Sequence, residues 1–186
     1  MPAAPSSAPS SSSLTGACVQ GPDHPQDAFA QLVASNVLLT NGTLRWHSER
    51  GLAEVSLAPG LTYDTLKREL VVAQGGVYYV FLHLELRRVV AGGGSGSVSV
   101  ALHLQPDQTA ALTLVLDLLA ASSDSAGSSR GLLLRLGSGQ RLAVHMRASA
   151  GAHPAWQLAQ GATVLGLFRV APEDPTGLSP PSPRPT

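Results

Sequence analysis

The 186-residue chain has one cysteine, Cys18. That excludes an internal disulfide framework and any CxxC metal site. Cys18 sits in a Ser/Pro-rich segment, where an incidental cysteine in a flexible tail is the plainer reading and a free or intermolecularly paired thiol the alternative. Lysine is as scarce, with Lys67 alone. The 12 basic residues balance 12 acidic ones, so no broad field steers the chain toward nucleic acid or an anionic membrane. No run of 18 apolar residues occurs, so no stretch reads as a membrane-spanning helix. The N-terminal MPAAPSSAPSSSSLTGACVQ has neither the basic nor the apolar region of a signal peptide.

Catalytic motifs are missing too. His24, His47, His103, His145 and His153 show no H-x-H or H-E-x-x-H spacing. His83 and Glu85 form an H-x-E triplet, but the P-C-x-x-C half of a zinc deaminase is absent, and a polar pair near a strand end is the plainer reading. The Gly92–Gly96 run lacks the G-x-x-x-x-G-K spacing of a phosphate loop and reads as a flexible hairpin loop. No G-x-S-x-G elbow and no acid/base pair stand out. The expectation is a protein that is not an enzyme, with no cofactor and no metal.

Proline is abundant but confined. Eleven of the 14 prolines lie in the two ends of the chain. Residues 1–28 are Ser/Pro/Ala-rich and bury too little to offset ordering entropy, which predicts a disordered stalk. Residues 171–186 form a Pro-rich tail. The folded domain is expected over 29–170.

Within it, short β-forming runs alternate with turn clusters. Strands are expected at Phe29–Ala34, Leu44–His47, Glu54–Leu57, Leu70–Ala73, Val77–Leu86, Ser97–Leu104, Leu112–Leu119, Gly131–Leu136, Arg141–Arg147 and Thr163–Val170. Ser122–Ser129 reads as a loop, Asn41-Gly42 and Gly137-Ser138-Gly139 as turns. Leu112–Ala121 could pass for an amphipathic helix, but it is short and follows the strand rhythm. The architecture predicted is all-β, a two-sheet jelly-roll β-sandwich.

The run LVVAQGGVYYVFLHLEL, residues 70–86, stands apart. As a strand it puts Tyr78, Val80, Leu82, Leu84 and Leu86 on one face, and Val77, Tyr79, Phe81, His83 and Glu85 on the other. Both faces begin apolar. Leu132–Leu136 and Val164–Phe168 share this character. One face fills the sandwich, so the other needs a partner surface, and symmetric self-association supplies one economically.

Leu70-x-Val72 followed by Gly76-Val77-Tyr78-Tyr79-Val80 and His83 resembles the motif of the tumour necrosis factor ligand family. The likeness extends from Phe29 to Val170. The segments FAQLVASNVLL, ELVVAQGGVYYVF, LELRRVVAGGGSGSVSVALHLQP and WQLAQGATVLGLFRV are similar to the branch whose receptor is 4-1BB. The resemblance implies a homotrimeric jelly-roll cytokine at the cell surface or outside the cell. Members are usually type II membrane proteins, and any anchor would lie in a segment that this chain does not show. They bind and cluster a cysteine-rich receptor, here with T-cell costimulation as the result. Val77, Tyr79, Phe81 and Phe168 would face the three-fold axis, with plain intradomain core as the alternative for Phe81 and Phe168. Trp46 matches the family's core tryptophan. Ser129 and Val164 stand where further axial tyrosines are often found, and Gln105–Ala111 lacks a tyrosine that many members offer the receptor. Receptor contact is therefore expected from Trp156, Gln157 and Gln160, then from Arg45, His47 and Gly51. Trp156 packed inward is the alternative. Asn41-Gly42-Thr43 is a glycosylation sequon at a surface turn, so Asn41 is the candidate acceptor. The rival readings are a complement-like module, which would want Gly-X-Y repeats upstream, and a lectin-like module, for which only Trp156 offers an aromatic platform.

Overall fold

The computed structural model describes residues 28–49, 51, 54–121 and 123–173. The expected stalk to residue 27, most of the expected tail, Cys18 and His24 lie outside them. Thirteen strands are found among these residues, and no helix. They are β1 (Phe29–Ala34), β2 (Gly42–Thr43), β3 (Trp46–His47), β4 (Ser56–Leu57), β5 (Leu61–Asp64), β6 (Glu69–Val72), β7 (Gly76–Arg88), β8 (Gly96–Gln105), β9 (Thr109–Leu118), β10 (Ser125–Leu136), β11 (Arg141–Ala148), β12 (Trp156–Leu158) and β13 (Val164–Pro172). All pairings are antiparallel. The first sheet runs β10-β7-β13-β1-β3, with β12 on β7 and β4 on β1. The second runs β5-β6-β11-β8-β9, with β2 on β11.

The run 70–86 behaves as its alternation predicts. β7 is the long central strand of the first sheet. Tyr78, Val80, Leu82, Leu84 and Leu86 are fully buried, while Val77, Tyr79, Phe81, His83 and Glu85 are half-buried on the opposite face. The buried row meets Val98, Val100, Leu102, Leu142, Val144 and Met146 of the second sheet. Each such side chain stabilises the fold by about 1.5–3 kcal/mol through removal from water. Tyr78 keeps its hydroxyl satisfied by donating to the Gln74 carbonyl at 2.6 Å. Trp46 is buried as expected, and its backbone N–H donates to the Tyr63 hydroxyl at 3.1 Å.

Three expectations need correction. Ser125–Ser129, read as loop, form the first half of β10 and pair with Arg87–His83 of β7. Their small side chains give no apolar signal, and the long neighbour strand sets their conformation instead. Gly92–Gly96 does not close a hairpin. It carries the chain from β7 in one sheet to β8 in the other, and Gly94 and Gly96 approach Ala155 and Ser149 too closely to carry a Cβ. Three strands were hidden: Gly42–Thr43, whose glycine was read as a turn, Leu61–Asp64, and Trp156–Leu158, which lies in a stretch read as loop. The last strand also runs two residues past the expected end, to Pro172.

Candidate functional site

Two surfaces gather the residues singled out from the sequence. The first is the outer face of the β10-β7-β13 trio. Tyr79 lies opposite Leu133 on one side and Phe168 on the other; Phe81 lies opposite Gly131 and Gly166; Val77 lies opposite Arg135 and Ala171. The Tyr79 ring centre is 5.3 Å from that of Phe168 and 6.2 Å from that of Phe81, a separation at which tilted aromatic pairs attract. The two glycines make this layer possible. A Cβ on Gly166 would collide with the Phe81 ring, and one on Gly131 with the Tyr79 ring. Each ring therefore lies down over a bare backbone rather than standing clear. Phe168 is 37% exposed and Leu133 61%. The four predicted side chains, Val77, Tyr79, Phe81 and Phe168, share one face. Phe29, opposite Phe168 on β1, extends it. Leu133, Phe29 and the two glycines escaped the sequence reading; period-two alternation within Leu132–Leu136 could have exposed Leu133.

At its far end the layer turns polar. His83 Nδ1 meets the Ser129 hydroxyl, and its Nε2 lies 3.5 Å from Glu85 Oε2. Among the described residues no three His, Cys, Asp or Glu side chains gather into a metal-binding group. Burial pushes the Tyr63 and Tyr78 hydroxyls up from their ordinary value, so both stay protonated as core hydrogen-bond partners.

The second surface lies at one end of the sandwich, where the chain segments before β2 and after β12 meet. Leu38 bridges Gln157, and the Leu158 N–H donates to the Val37 carbonyl at 2.8 Å. His47 and Gln160 line one hollow of about 250 Å³ with Val33, Val37 and Val55. Gln157 and Gln160 line another, of about 410 Å³, with Val37, Arg87 and Val89. The two loops chosen separately from the sequence thus join across Val37. Arg45 sits apart in an open basin with Asn41, Asn36 and Arg68. Gly51 is an exposed turn residue with φ +101°, a conformation suited to glycine. Val37, Leu38, Arg87 and Val89 were not anticipated, because their contribution depends on which loops the sheets bring together.

Trp156 is the correction here. Its side chain is fully buried, so it offers no surface to a receptor. The indole N–H donates to the Gly94 carbonyl at 3.0 Å, and the Arg88 guanidinium lies 4.7 Å above the ring centre. Arg88 also donates to the carbonyls of Leu119 and Ala120, both at 2.8 Å. Trp156 and Arg88 together tie the sheet-to-sheet crossover, the end of β9 and β12 into one frame. The inward alternative is the one observed; Gln157 beside it is half-buried and Gln160 exposed. Asn41 is exposed in its turn, and its side-chain oxygen accepts from the Ala148 N–H at 2.8 Å.

Residues 44–170 match the TNF (Tumour Necrosis Factor) family. Human tumor necrosis factor ligand superfamily member 9 is 57% identical over 166 residues, covering 86% of this chain and 65% of the relative. The mouse protein of the same name is 38% identical over 160 residues, covering 79% of this chain and 52% of that protein. The chain thus spans between half and two thirds of the length of these relatives. Among solved structures, Eiger TNF from S. frugiperda superposes with a TM-score of 0.54 at 19% identity, over 82% of this chain and 99% of that one. That likeness concerns the fold, a two-sheet jelly-roll sandwich. With the family match spanning more than half of its length, the chain belongs to the tumour necrosis factor family.

Proposed function

We propose that the chain is a cytokine that assembles as a homotrimer and clusters a cysteine-rich receptor, 4-1BB, to deliver a T-cell costimulatory signal. The observation that carries this reading is the outer face of β10-β7-β13. A sandwich already closed by its core has no intradomain use for a second apolar layer, and patches of this kind mark association. Val77, Tyr79, Phe81 and Phe168 face the three-fold axis in this reading. Three copies around an axis then hold three receptors together, and the raised effective concentration of their tails does the signalling work without chemistry at the ligand. The receptor meets the end surface, through His47, Gln157 and Gln160, with Arg45 and Gly51 at its margin and Trp156 as the buried support. A glycan on Asn41 would stand beside Arg45 and limit approach from that side. The site of action is the cell surface or the space outside it.

Light scattering on the purified protein should give three times the 19.1 kDa protomer mass. The trimer should bind the immobilised 4-1BB ectodomain. Gln157→Ala combined with His47→Ala should weaken binding at unchanged mass. A monomer at micromolar concentration, or a trimer that ignores the receptor, defeats the proposal.

A further inference from the structure

The outer face of the second sheet holds a pair of imidazoles that the cytokine reading does not use. His103 on β8 and His145 on β11 are diagonal neighbours, since His103 lies opposite Ala143 and His145 opposite Ala101. Their ring centres are 4.7 Å apart. They line a basin of about 300 Å³ with Ser99, Ala101, Gln108 and Arg147. His103 Nδ1 lies 2.8 Å from the Gln108 carbonyl oxygen. A carbonyl only accepts, so Nδ1 carries the proton and Nε2 is left with a free lone pair. Gln108 reaches this position with φ +52°, an uncommon backbone state for a residue other than glycine. His145 Nε2 lies 3.5 Å from the Thr43 hydroxyl.

We propose that His103 and His145 form a surface site for a divalent transition metal of the zinc, copper(II) or nickel class. Three observations carry it. Two imidazoles bound to one such ion, with metal–nitrogen bonds of about 2.0–2.1 Å and a right to tetrahedral angle between them, have ring centres roughly 4.5–5 Å apart; the observed spacing falls in that range. A metal-ligating histidine characteristically gives its other N–H to a carbonyl or carboxylate, and His103 already does so. Neutral nitrogen donors without a carboxylate select these metals over calcium or magnesium. His145 is held toward its neutral form, first by burial, then by the nearby His103 and Arg147. That favours the form in which one ring nitrogen offers a lone pair to a metal. The open basin leaves room for water in the remaining coordination positions. Arg147 is the opposing feature, a fixed positive charge beside the ion. This face lies on the opposite side of the sandwich from Tyr79 and Phe81, so assembly through those residues leaves it free.

The test is calorimetric titration of the tag-free, full-length chain with zinc at pH 7.5, repeated at pH 5.5, with copper(II) electron paramagnetic resonance to count nitrogen ligands. One zinc per protomer and two nitrogens on copper are expected. His103→Ala and His145→Ala should each lower affinity by about tenfold or more. Acid should weaken binding, because protons compete for the same lone pairs. Arg147→Gln should tighten it several-fold by removing the repulsion. His83→Ala, which removes the histidine paired with Ser129 and Glu85 on the other sheet, should leave it unchanged. Wild-type protein that binds no zinc overturns the proposal, as does binding that survives both histidine variants or disappears with His83→Ala. If Arg147→Gln weakens binding, and inorganic phosphate binds better at pH 5.5 than at 7.5, the basin is an anion site and the metal assignment is wrong.

Discussion

The two sheets present opposite kinds of outer face. On the first, Tyr79, Phe81, Leu133 and Phe168 form a continuous apolar layer. On the second, Ser99, His103, Thr113, Asp117, His145 and Arg147 stand on the matching row, with Val115 as an isolated exposed aliphatic. The inner faces, by contrast, are equally apolar. An antiparallel sandwich needs one dry face per sheet and leaves the other free. The free faces differ in kind: polar on the second sheet, apolar on the first. The lesson lies in the alternation within one strand. In β7, consecutive residues alternate between the core inside the protomer and the face that the proposed assembly would cover.

Placing a carboxylate on each outer face tests this most severely. Phe81→Asp should abolish the trimer, since an unpaired buried charge costs several kcal/mol at each copy. Val115→Asp should leave mass and melting temperature essentially unchanged, within about 0.5 kcal/mol. Light scattering reads the first and thermal melting the second. Equal behaviour of the two variants would erase the distinction between the faces. One residue along β7, Leu82→Ala should instead cost about 2–5 kcal/mol of protomer stability by opening a core cavity, as measured by denaturant unfolding. A Leu82→Ala protein that merely dissociates while staying folded would place Leu82 in the wrong core.

A subtler test concerns the glycines. Gly166→Ala puts a Cβ against the Phe81 ring and must tilt it out of the layer. The expected loss is about 1–3 kcal/mol, typical of overpacking. It should appear as trimer dissociation at low concentration. Adding Phe81→Ala removes the clash, so the double variant should lose less than the sum of the two single losses, with a coupling of about 0.5–3 kcal/mol. Strict additivity would mean that Gly166 has some other role.

Much of this is legible in the amino-acid sequence alone. Period-two alternation found β7 and sorted its faces, because a one-residue slip would invert them. The same rule placed β8, while β-forming runs bounded by turn signals placed β1 and β11. It failed where side chains are small. Ser125–Ser129 carry almost no hydrophobic signal, yet they form nearly half of the strand that flanks β7. Gly166 in turn is silent in sequence because its contribution is the absence of a Cβ. At the end surface, His47, Gln157 and Gln160 were named from the sequence, but Val37 was not, since its exposure is set by the pairing of Leu38 with Gln157. Trp156 was misread for the opposite reason. An aromatic residue near a turn looks available until Arg88 and the Gly94 carbonyl are seen to enclose it.

The smallest effect belongs to the wet face and runs through pH. The His145 pKa is lowered from its ordinary 6.5, first by burial and then by His103 and Arg147. Between the folded and the ordinary values, the unfolded chain binds a proton that the folded chain does not. Stability is then complete above about pH 6.5, declines as pH falls through that window, and levels off below the folded value. His145→Gln removes this contribution. Carboxylates titrate in the same range, so the useful quantity is the difference in unfolding midpoint between wild type and variant. Measured in chelator from pH 7.5 to 5, that difference should shift steadily against the wild type as acid is added. Val115→Asp, carried through the same series, controls for altered surface charge on this sheet. A flat difference would mean that His145 is as well solvated as in the unfolded chain. A difference that shifts in favour of the wild type would mean that a partner stabilises the imidazolium. Either result would break the picture of a face whose groups are tuned only by burial and by each other.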